Sequence, residues 1–97
     1  MTYRYNGLAE IELYEAAHFY ENRAAGLGSE FLDEVDRGIA TILQSPTRWP
    51  DEGGGIRRCR LHRFPYALFY RTTSPDEIEI VAVANLRRRP GYWRNRV

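Results

Sequence analysis

The 97-residue sequence is notable first for what it does not contain. It has no lysine, so all 14 basic residues are arginines, whose planar guanidinium groups suit phosphates, carboxylates and aromatic rings. Its single cysteine, Cys59, excludes an internal disulfide and fits a reducing compartment. No apolar run approaches the roughly 18 residues of a membrane span, and the N-terminus is too acidic for a signal peptide. We therefore expect a cytoplasmic protein without a membrane anchor.

Signatures of metal, cofactor and nucleophile sites are also missing. The three glycines at 53–55 have neither the lysine nor the preceding strand of a phosphate-binding loop. Cys59 and His62 are three apart on a predicted strand, so their side chains point to opposite faces and do not easily chelate one ion. His18 has only loosely spaced acidic neighbours on a predicted helix. We expect no metal and no cofactor.

Length and composition indicate one domain, residues 1–97, with ordinary globular values of 43% hydrophobic and 28% charged residues. The charge is uneven along the chain. Residues 1–50 carry four arginines and eight carboxylates, a net charge of −4, whereas residues 51–97 carry ten arginines and five carboxylates, a net charge of +5. The overall charge of +1 therefore combines an acidic first half with a basic second half, which favours an anionic partner for the second.

The hydrophobic pattern predicts a strand, two amphipathic helices and three further strands, at residues 2–6, 8–23, 27–44, 56–62, 66–72 and 77–85. Gly26 and Gly28 leave so short a connection that the two helices must form an antiparallel hairpin. The glycine- and proline-rich residues 45–55 indicate a flexible loop. This order predicts an α+β fold, in which the N-terminal strand and the α-helical hairpin pack on one face of a small antiparallel β-sheet, followed by a basic C-terminal tail.

Arginines are concentrated in the strand 56–62 and in the tail 85–97. On the strand, Arg58, Arg60 and His62 share one face and alternate with apolar residues. Because the apolar face must pack on the helices, we expect the cationic face to point away from them and to meet the tail. The sequence predicts an anion-binding surface for phosphate or an acidic protein segment, which also includes Arg57, Arg87, Arg88 and Arg89. The alternative is a solvated sheet face with a frayed tail.

Two large aromatic residues, Tyr92 and Trp93, lie among the arginines of the tail. Next to arginines, such rings can stack on bases of a nucleic acid. They can also fold back and cover the open side of the sheet. Pro90 and Gly91 favour a defined turn just before them, because one fixes φ and the other permits an unusual φ. Both interpretations remain open for each ring.

The ordered set "LAEIELYEAAHFYENRAAGLGSEFLDEV", "RWP", "RRCRLHRFPYALFYR" and "IEIVAVANLRRRPGYW" resembles the RelE/ParE superfamily of toxins from bacterial type II toxin–antitoxin modules. The resemblance covers about residues 8–94. It implies a helical hairpin on an antiparallel sheet, in agreement with the order predicted from the hydrophobic pattern. It also implies a cytosolic growth inhibitor, neutralised by a small ParD-like antitoxin in a hetero-oligomer. One departure is Asn85, where many relatives have a histidine, so any acid–base role of that histidine is absent here.

In this superfamily the antitoxin typically wraps the toxin with a helix and an extended strand, a mode that uses an apolar groove and a sheet edge. For this chain, the resemblance implies a groove on the two helices that includes Tyr14, Phe19 and Tyr20. The carboxylates of the antitoxin would then meet the arginine surface described above.

The superfamily contains two activities of different classes. ParE-like members bind and poison DNA gyrase without a hydrolytic site, whereas RelE-like members cut mRNA on the ribosome without a metal. If this chain were a nuclease, the resemblance would make Arg58, Arg60, Arg88 and Tyr92 its catalytic residues, with Tyr92 as the base. That role needs a tyrosine pKa well below its ordinary value of about 10, which nearby guanidinium groups can provide.

The tail motif is closer to the ParE-like and plasmid-stabilisation branch than to the compact, lysine-rich RelE sites. The near-neutral total charge is also low for a protein that must meet many phosphates of ribosomal RNA. We therefore expect a non-catalytic gyrase poison, and keep the ribosome-dependent mRNA endonuclease as the alternative.

Overall fold

The computed structural model describes all 97 residues, which form four strands, two helices and a short final turn. The elements are β1 (Thr2–Tyr5), α1 (Gly7–Arg23), α2 (Leu27–Gln44), β2 (Arg57–Arg60), β3 (Tyr66–Ser74), β4 (Glu77–Asn85) and a 3₁₀ turn (Arg94–Arg96). The order and types of these elements confirm the predicted α+β fold. All predicted boundaries agree to within two residues, and β2 differs most in length, because it is shorter than predicted at both ends.

The helical hairpin is held together by local hydrogen bonds at the start of α1 and at the connection to α2. Asn6 caps α1, because its side-chain oxygen accepts a hydrogen bond from the N–H of Leu8 at 2.9 Å. Gly26, between the helices, adopts a φ of 85°, which a residue with a Cβ rarely does. The Glu21 carboxylate accepts hydrogen bonds from the N–H groups of Gly26 and Gly28 at 2.9 and 3.0 Å. This carboxylate therefore ties the N-terminus of α2 to α1.

The four strands form one sheet in the order β1-β4-β3-β2. Strands β2, β3 and β4 are antiparallel neighbours, as predicted. Strand β1 runs parallel to β4, with Thr2 opposite Glu77 and Tyr5 opposite Ile80, so the complete sheet is mixed. The sequence does not predict this pairing, because a strand of four residues can pair with either edge of the sheet formed by β2, β3 and β4. The position of the helical hairpin in the folded domain decides which edge β1 reaches.

Both faces of the sheet are covered. The helices bury the larger core on one face, with Phe31, Leu68 and Ile80 among its fully buried residues. On the opposite face, a smaller core forms beneath residues 86–97, which we call the C-terminal segment. Its buried members are Ile56, Val81, Ala82, Ala84 and Trp93. The basic tail is therefore a packed part of the domain, and the sheet face away from the helices is largely apolar where the segment crosses it.

The loop between α2 and β2 forms a defined turn, which differs from the flexible loop expected from its composition. Asp51 Oδ1 accepts hydrogen bonds from the N–H groups of Gly53 and Gly55 at 2.6 and 3.3 Å. The Arg94 guanidinium donates to the carbonyls of Glu52 and Gly53 at 2.8 and 3.1 Å. The loop is thus held by its own aspartate and by the end of the C-terminal segment, a contact that local composition does not reveal.

Candidate functional site

Strand β2 places its arginines where the alternating pattern predicted. Cys59 and Leu61 are buried in the core beneath the helices, whereas Arg58 and Arg60 are exposed. Arg58 lies near one acidic group, with its Nε 3.9 Å from Glu52 Oε2. An exposed pair at this distance contributes little to stability, which leaves Arg58 available to a ligand.

A cavity of about 320 Å³ is lined by residues of the sheet and of the C-terminal segment, and we call it the arginine cavity. Four guanidinium groups line it, those of Arg58, Arg88, Arg89 and Arg94. The rings of Phe69, Tyr92 and Trp93 form part of its walls, and Glu52 is its one carboxylate. The fold therefore brings together arginines from the two segments that the sequence predicted to converge.

The other predicted arginines lie outside this cavity. Arg60 and His62 line a separate groove of about 370 Å³ between β2 and α2. Arg57 is committed to the loop, because its guanidinium donates to the carbonyl of Trp49. Arg87 is exposed just beyond β4. The predicted surface is thus divided into a cavity, a groove and single exposed residues.

A buried ion cluster around Glu12 anchors the C-terminal segment to α1. Arg96 donates to both carboxylate oxygens of Glu12, at 2.8 and 3.0 Å, and the Tyr92 hydroxyl donates to Oε2 at 2.6 Å. The backbone N–H of Val83 donates to Oε1 at 3.0 Å. The guanidinium carbon of Arg88 lies 3.8 Å from the centre of the Tyr92 ring, a cation–π contact. This cluster fixes the position of the residues that form one side of the arginine cavity.

The Tyr92 hydroxyl is poorly suited to act as a base. Burial raises the pKa of Tyr92 above its ordinary value near 10, and the hydrogen bond to the Glu12 carboxylate raises it further. Arg96 and Arg88 lower this pKa, but their effects are smaller. The expectation that guanidinium groups would bring the pKa of Tyr92 well below 10 is therefore wrong, because the nearest charged group is a carboxylate.

Trp93 is a packing residue. It is 2% exposed, and its ring lies 4.5 Å from that of Phe69 at an interplanar angle of 34°. Of the two interpretations left open for this ring, the structure supports the one in which it folds back and covers the sheet. Its prediction as a contact residue for a partner does not agree with this burial.

The exposed side of α1 carries large apolar residues. Leu8, Ile11, Tyr14 and Phe19 are between 51% and 58% exposed. Tyr20 is half-buried and packs in an aromatic cluster with Phe31, Phe64 and Tyr66. Tyr14 and Phe19 are therefore available to a partner, as the predicted groove requires, whereas most of Tyr20 belongs to the core.

Glu12 is the residue that sequence reasoning missed. The signal was present, because Glu12 lies three residues after Ala9 and four before Ala16, on the stripe that α1 buries. A carboxylate on such a stripe needs a cationic or N–H partner to offset its desolvation. The partner, Arg96, is 84 residues away along the chain, so the sequence could indicate the need but not the pairing.

Asn85 closes β4 at the mouth of the arginine cavity. Its side-chain amide donates to the Tyr66 hydroxyl at 3.5 Å, a long hydrogen bond. Its side-chain oxygen accepts a hydrogen bond from the N–H of Arg87 at 2.9 Å, which shapes the turn into the C-terminal segment. An amide does not titrate near neutral pH, so this position supplies hydrogen bonds without acid–base chemistry.

No group of three or more His, Cys, Asp or Glu side chains converges as ligands for a metal ion. Neither helix combines the length and the apolar character that crossing a bilayer requires.

Two comparisons with known proteins give a match, one to a family and one to a fold. A family model described as the ParE toxin of the type II toxin–antitoxin system parDE matches residues 3–90. A solved structure described as the chromosomal ParDE TA system from P. aeruginosa is similar, with a TM-score of 0.72 and 19% sequence identity. That match covers 88% of this chain and 95% of the other, and at this identity it establishes a common fold. No curated protein matches the chain.

Proposed function

The chain belongs to the ParE toxin family of type II toxin–antitoxin systems, and we propose that it stops bacterial growth by binding DNA gyrase until a cognate antitoxin neutralises it. In this proposal it is a cytoplasmic toxin without a catalytic centre of its own. A ParD-like antitoxin holds it in a hetero-oligomer. The family match over residues 3–90 supports the toxin role, and the state of Tyr92 supports a binding mechanism over a hydrolytic one.

The single observation that carries the non-catalytic mechanism is the hydrogen bond from Tyr92 to Glu12 at 2.6 Å. A general base must accept a proton from the attacking hydroxyl. Tyr92 instead donates its hydrogen to a buried carboxylate, and its pKa is raised. Asn85 cannot replace it, because an amide is not a base at neutral pH. The hydroxyl that the nuclease alternative requires is thus engaged in holding the C-terminal segment.

Two features support antitoxin binding on the outer side of α1. Tyr14 and Phe19 are 58% and 51% exposed, a high exposure for aromatic side chains on a helix. The adjoining groove along α1 and β4, which Phe19 also lines, has a volume of about 220 Å³ and can receive apolar side chains of an amphipathic helix. Arg60 ends β2 and Arg87 follows the end of β4, with β3 between these two strands, and both exposed side chains can meet acidic residues of the same partner.

Expression in bacteria tests the toxin role. The intact chain expressed alone should stop growth, and co-expression of the antitoxin encoded by the neighbouring gene should restore it. A Phe19→Glu variant should remain toxic but lose much of the rescue, because it places a charge in the apolar contact. Asp33→Glu, a conservative change of an exposed residue on α2, serves as the control. Normal growth on expression of the intact, soluble chain would contradict the proposal.

A second experiment separates gyrase from mRNA as the target. The purified chain should inhibit DNA supercoiling by gyrase and should leave message intact in a ribosome-dependent cleavage assay. The alternative, a RelE-like endonuclease, is favoured by the presence of Arg58 and Arg88 in the cavity beside Tyr92. The assignment would be reversed if the parent chain cleaved mRNA and did not inhibit supercoiling, and if the Tyr92→Phe variant lost that cleavage.

A third experiment tests the exposed arginines. Arg60→Ala should weaken antitoxin binding, toxicity or both, because a desolvated charge pair costs roughly 2–5 kcal/mol when one partner is removed. Arg4→Ala is the control, since it removes the same charge from an exposed side chain on β1, at the opposite edge of the sheet from β2. Equal antitoxin affinity and toxicity in the Arg60→Ala variant and the parent chain would remove Arg60 from the interface.

A further inference from the structure

We propose that the arginine cavity is a binding site for a phosphate monoester carried by a single nucleotide, either free or at the 5′ end of a strand. This site adjoins the proposed antitoxin groove along α1, with which it shares Asn85 and Arg88, but its other lining residues are different. It does not depend on gyrase being the target, and it involves no cleavage. The charge of the cavity, the free donors of its arginines, its size and the fixed position of its walls all favour such a ligand.

The cavity has a strong excess of positive charge. Four arginines and one acidic residue, Glu52, are among its lining residues, and Arg88 has a further carboxylate nearby, that of Glu12 at 3.6 Å. A phosphate monoester carries about −1.5 to −2 charges at neutral pH, whereas a single side-chain carboxylate carries −1. The phosphate therefore balances the cavity more fully than an acidic residue does. Guanidinium groups also bind phosphate oxygens through paired N–H donors.

The arginines retain free donors for such a ligand. Arg89 makes no ion pair within the chain, and its side chain is exposed at the cavity. Arg58 is 3.9 Å from Glu52, beyond hydrogen-bonding distance. Arg88 is 3.6 Å from Glu12, also too long for a hydrogen bond. Three of the four guanidinium groups can thus donate to a phosphate without breaking a short contact in the protein.

The dimensions of the cavity suit one nucleotide. Its volume of about 320 Å³ is at the lower end of the roughly 300–1,000 Å³ typical of small-molecule pockets. An α-helix of a protein partner, about 10–12 Å across, does not enter such a space. Phe69 is half-buried, packs on Trp93 with the ring centres 4.5 Å apart, and is among the lining residues, so it adds apolar wall area that a base can contact beside the phosphate.

The walls are held in place before any ligand arrives. The Glu12 cluster fixes Tyr92, on whose ring Arg88 lies. Arg94 is fixed on the far side by two loop carbonyls at 2.8 and 3.1 Å. A site whose donors are already ordered loses less conformational entropy when it binds, which favours a small ligand with few contacts of its own.

Calorimetric titration of the purified chain tests the proposal. The ligands are adenosine 5′-monophosphate, adenosine, a 5′-phosphorylated trinucleotide, its 5′-hydroxyl form, and a hexaglutamate peptide, all at one ionic strength. We expect binding of the two 5′-phosphorylated ligands and little binding of the others. Arg58→Ala and Arg89→Ala should each weaken binding about ten- to a hundredfold, the usual effect of losing a hydrogen bond to a charged group. Both side chains are exposed, so neither change should alter the fold.

Arg23→Ala is the control for total charge, because Arg23 lies at the end of α1 and outside the cavity lining. Tighter binding of the trinucleotide would identify a strand end as the ligand, and tighter binding of the mononucleotide a free nucleotide. Equal binding of hexaglutamate or of the 5′-hydroxyl trinucleotide would overturn the proposal, as would equal losses in Arg23→Ala and Arg89→Ala. Absence of binding would overturn it as well, whatever the supercoiling assay shows.

Discussion

Because Glu12 is the centre of an ion cluster, we expect the isosteric substitution Glu12→Gln to lower the free energy of unfolding strongly. In the parent chain, the carboxylate accepts hydrogen bonds from Arg96, Tyr92 and the N–H of Val83. The side chains of Glu12 and Arg96 are 13% and 9% exposed, so water screens the pair only weakly. The neutral amide of the variant leaves the Arg96 charge buried without a counter-ion. The NH2 group of the glutamine also points N–H donors at groups that are themselves donors.

The magnitude follows from this geometry. Breaking a buried ion pair by removing one partner typically costs about 3–5 kcal/mol of unfolding free energy. In a domain of this size, each kcal/mol of lost unfolding free energy lowers the melting temperature by about 4–8 °C. The melting temperature of the Glu12→Gln variant should therefore be lower than that of the parent chain by at least roughly 12 °C. Urea unfolding and calorimetry of the purified chain measure both quantities.

Glu15→Gln is the matched control, because Glu15 is exposed on the same helix and forms no ion pair. Its change should stay within about 0.5 kcal/mol. The double variant Glu12→Gln, Arg96→Met should recover much of the lost stability, since both charges are then removed and no charge is left without a partner. Equal stability of the Glu12→Gln and Glu15→Gln variants would show that the cluster does not hold the C-terminal segment, and the reasoning would be refuted.

Acid stability should depend on Glu34, whose pKa is lowered first by the Arg37 side chain and also by two backbone N–H groups. Because its folded pKa lies below the unfolded value of about 4.3, its contribution is present at neutral pH and is lost as pH falls through the folded pKa. Glu34→Gln should flatten the stability curve below about pH 4.3, and Asp33→Asn, an exposed control, should not. Gly28→Ala should destabilise the hairpin by about 1–3 kcal/mol, because the new Cβ would lie 2.6 Å from a carbonyl oxygen of α1. Gly7→Ala, with no atom within 4 Å of its Cβ, should be neutral or slightly stabilising in the same urea titration.

Much of the fold could be predicted because its elements are specified by local patterns. The i, i+3, i+4 spacing of apolar residues in α2 and the alternation in β2 depend on near neighbours only. The Asn6 cap and the Gly26 connection are likewise local, and both are present in the structure. The exposure of Arg58 followed from the same alternation, since the buried Cys59 beside it sets the face.

The candidate site was predictable only in part. The meeting of Arg58 with Arg88 and Arg89 could be expected, because the tail follows a strand of the same sheet. Arg60 instead lines the groove beside α2 and is not among the residues of the arginine cavity. The pKa of Tyr92 was predicted in the wrong direction, because burial and the Glu12 carboxylate raise it by more than the neighbouring arginines lower it.

The sequence by itself determined the elements, the antiparallel hairpin, the basic second half of the chain and the family resemblance, because each rests on residues close together along the chain or on their order. The tertiary structure alone decided that β1 pairs in parallel with β4, and that the C-terminal segment covers the second face of the sheet. It also decided that Glu12 binds Arg96 and Tyr92. These pairings join residues about 75 to 84 positions apart, and the packing of the whole domain, which no local pattern encodes, selects them.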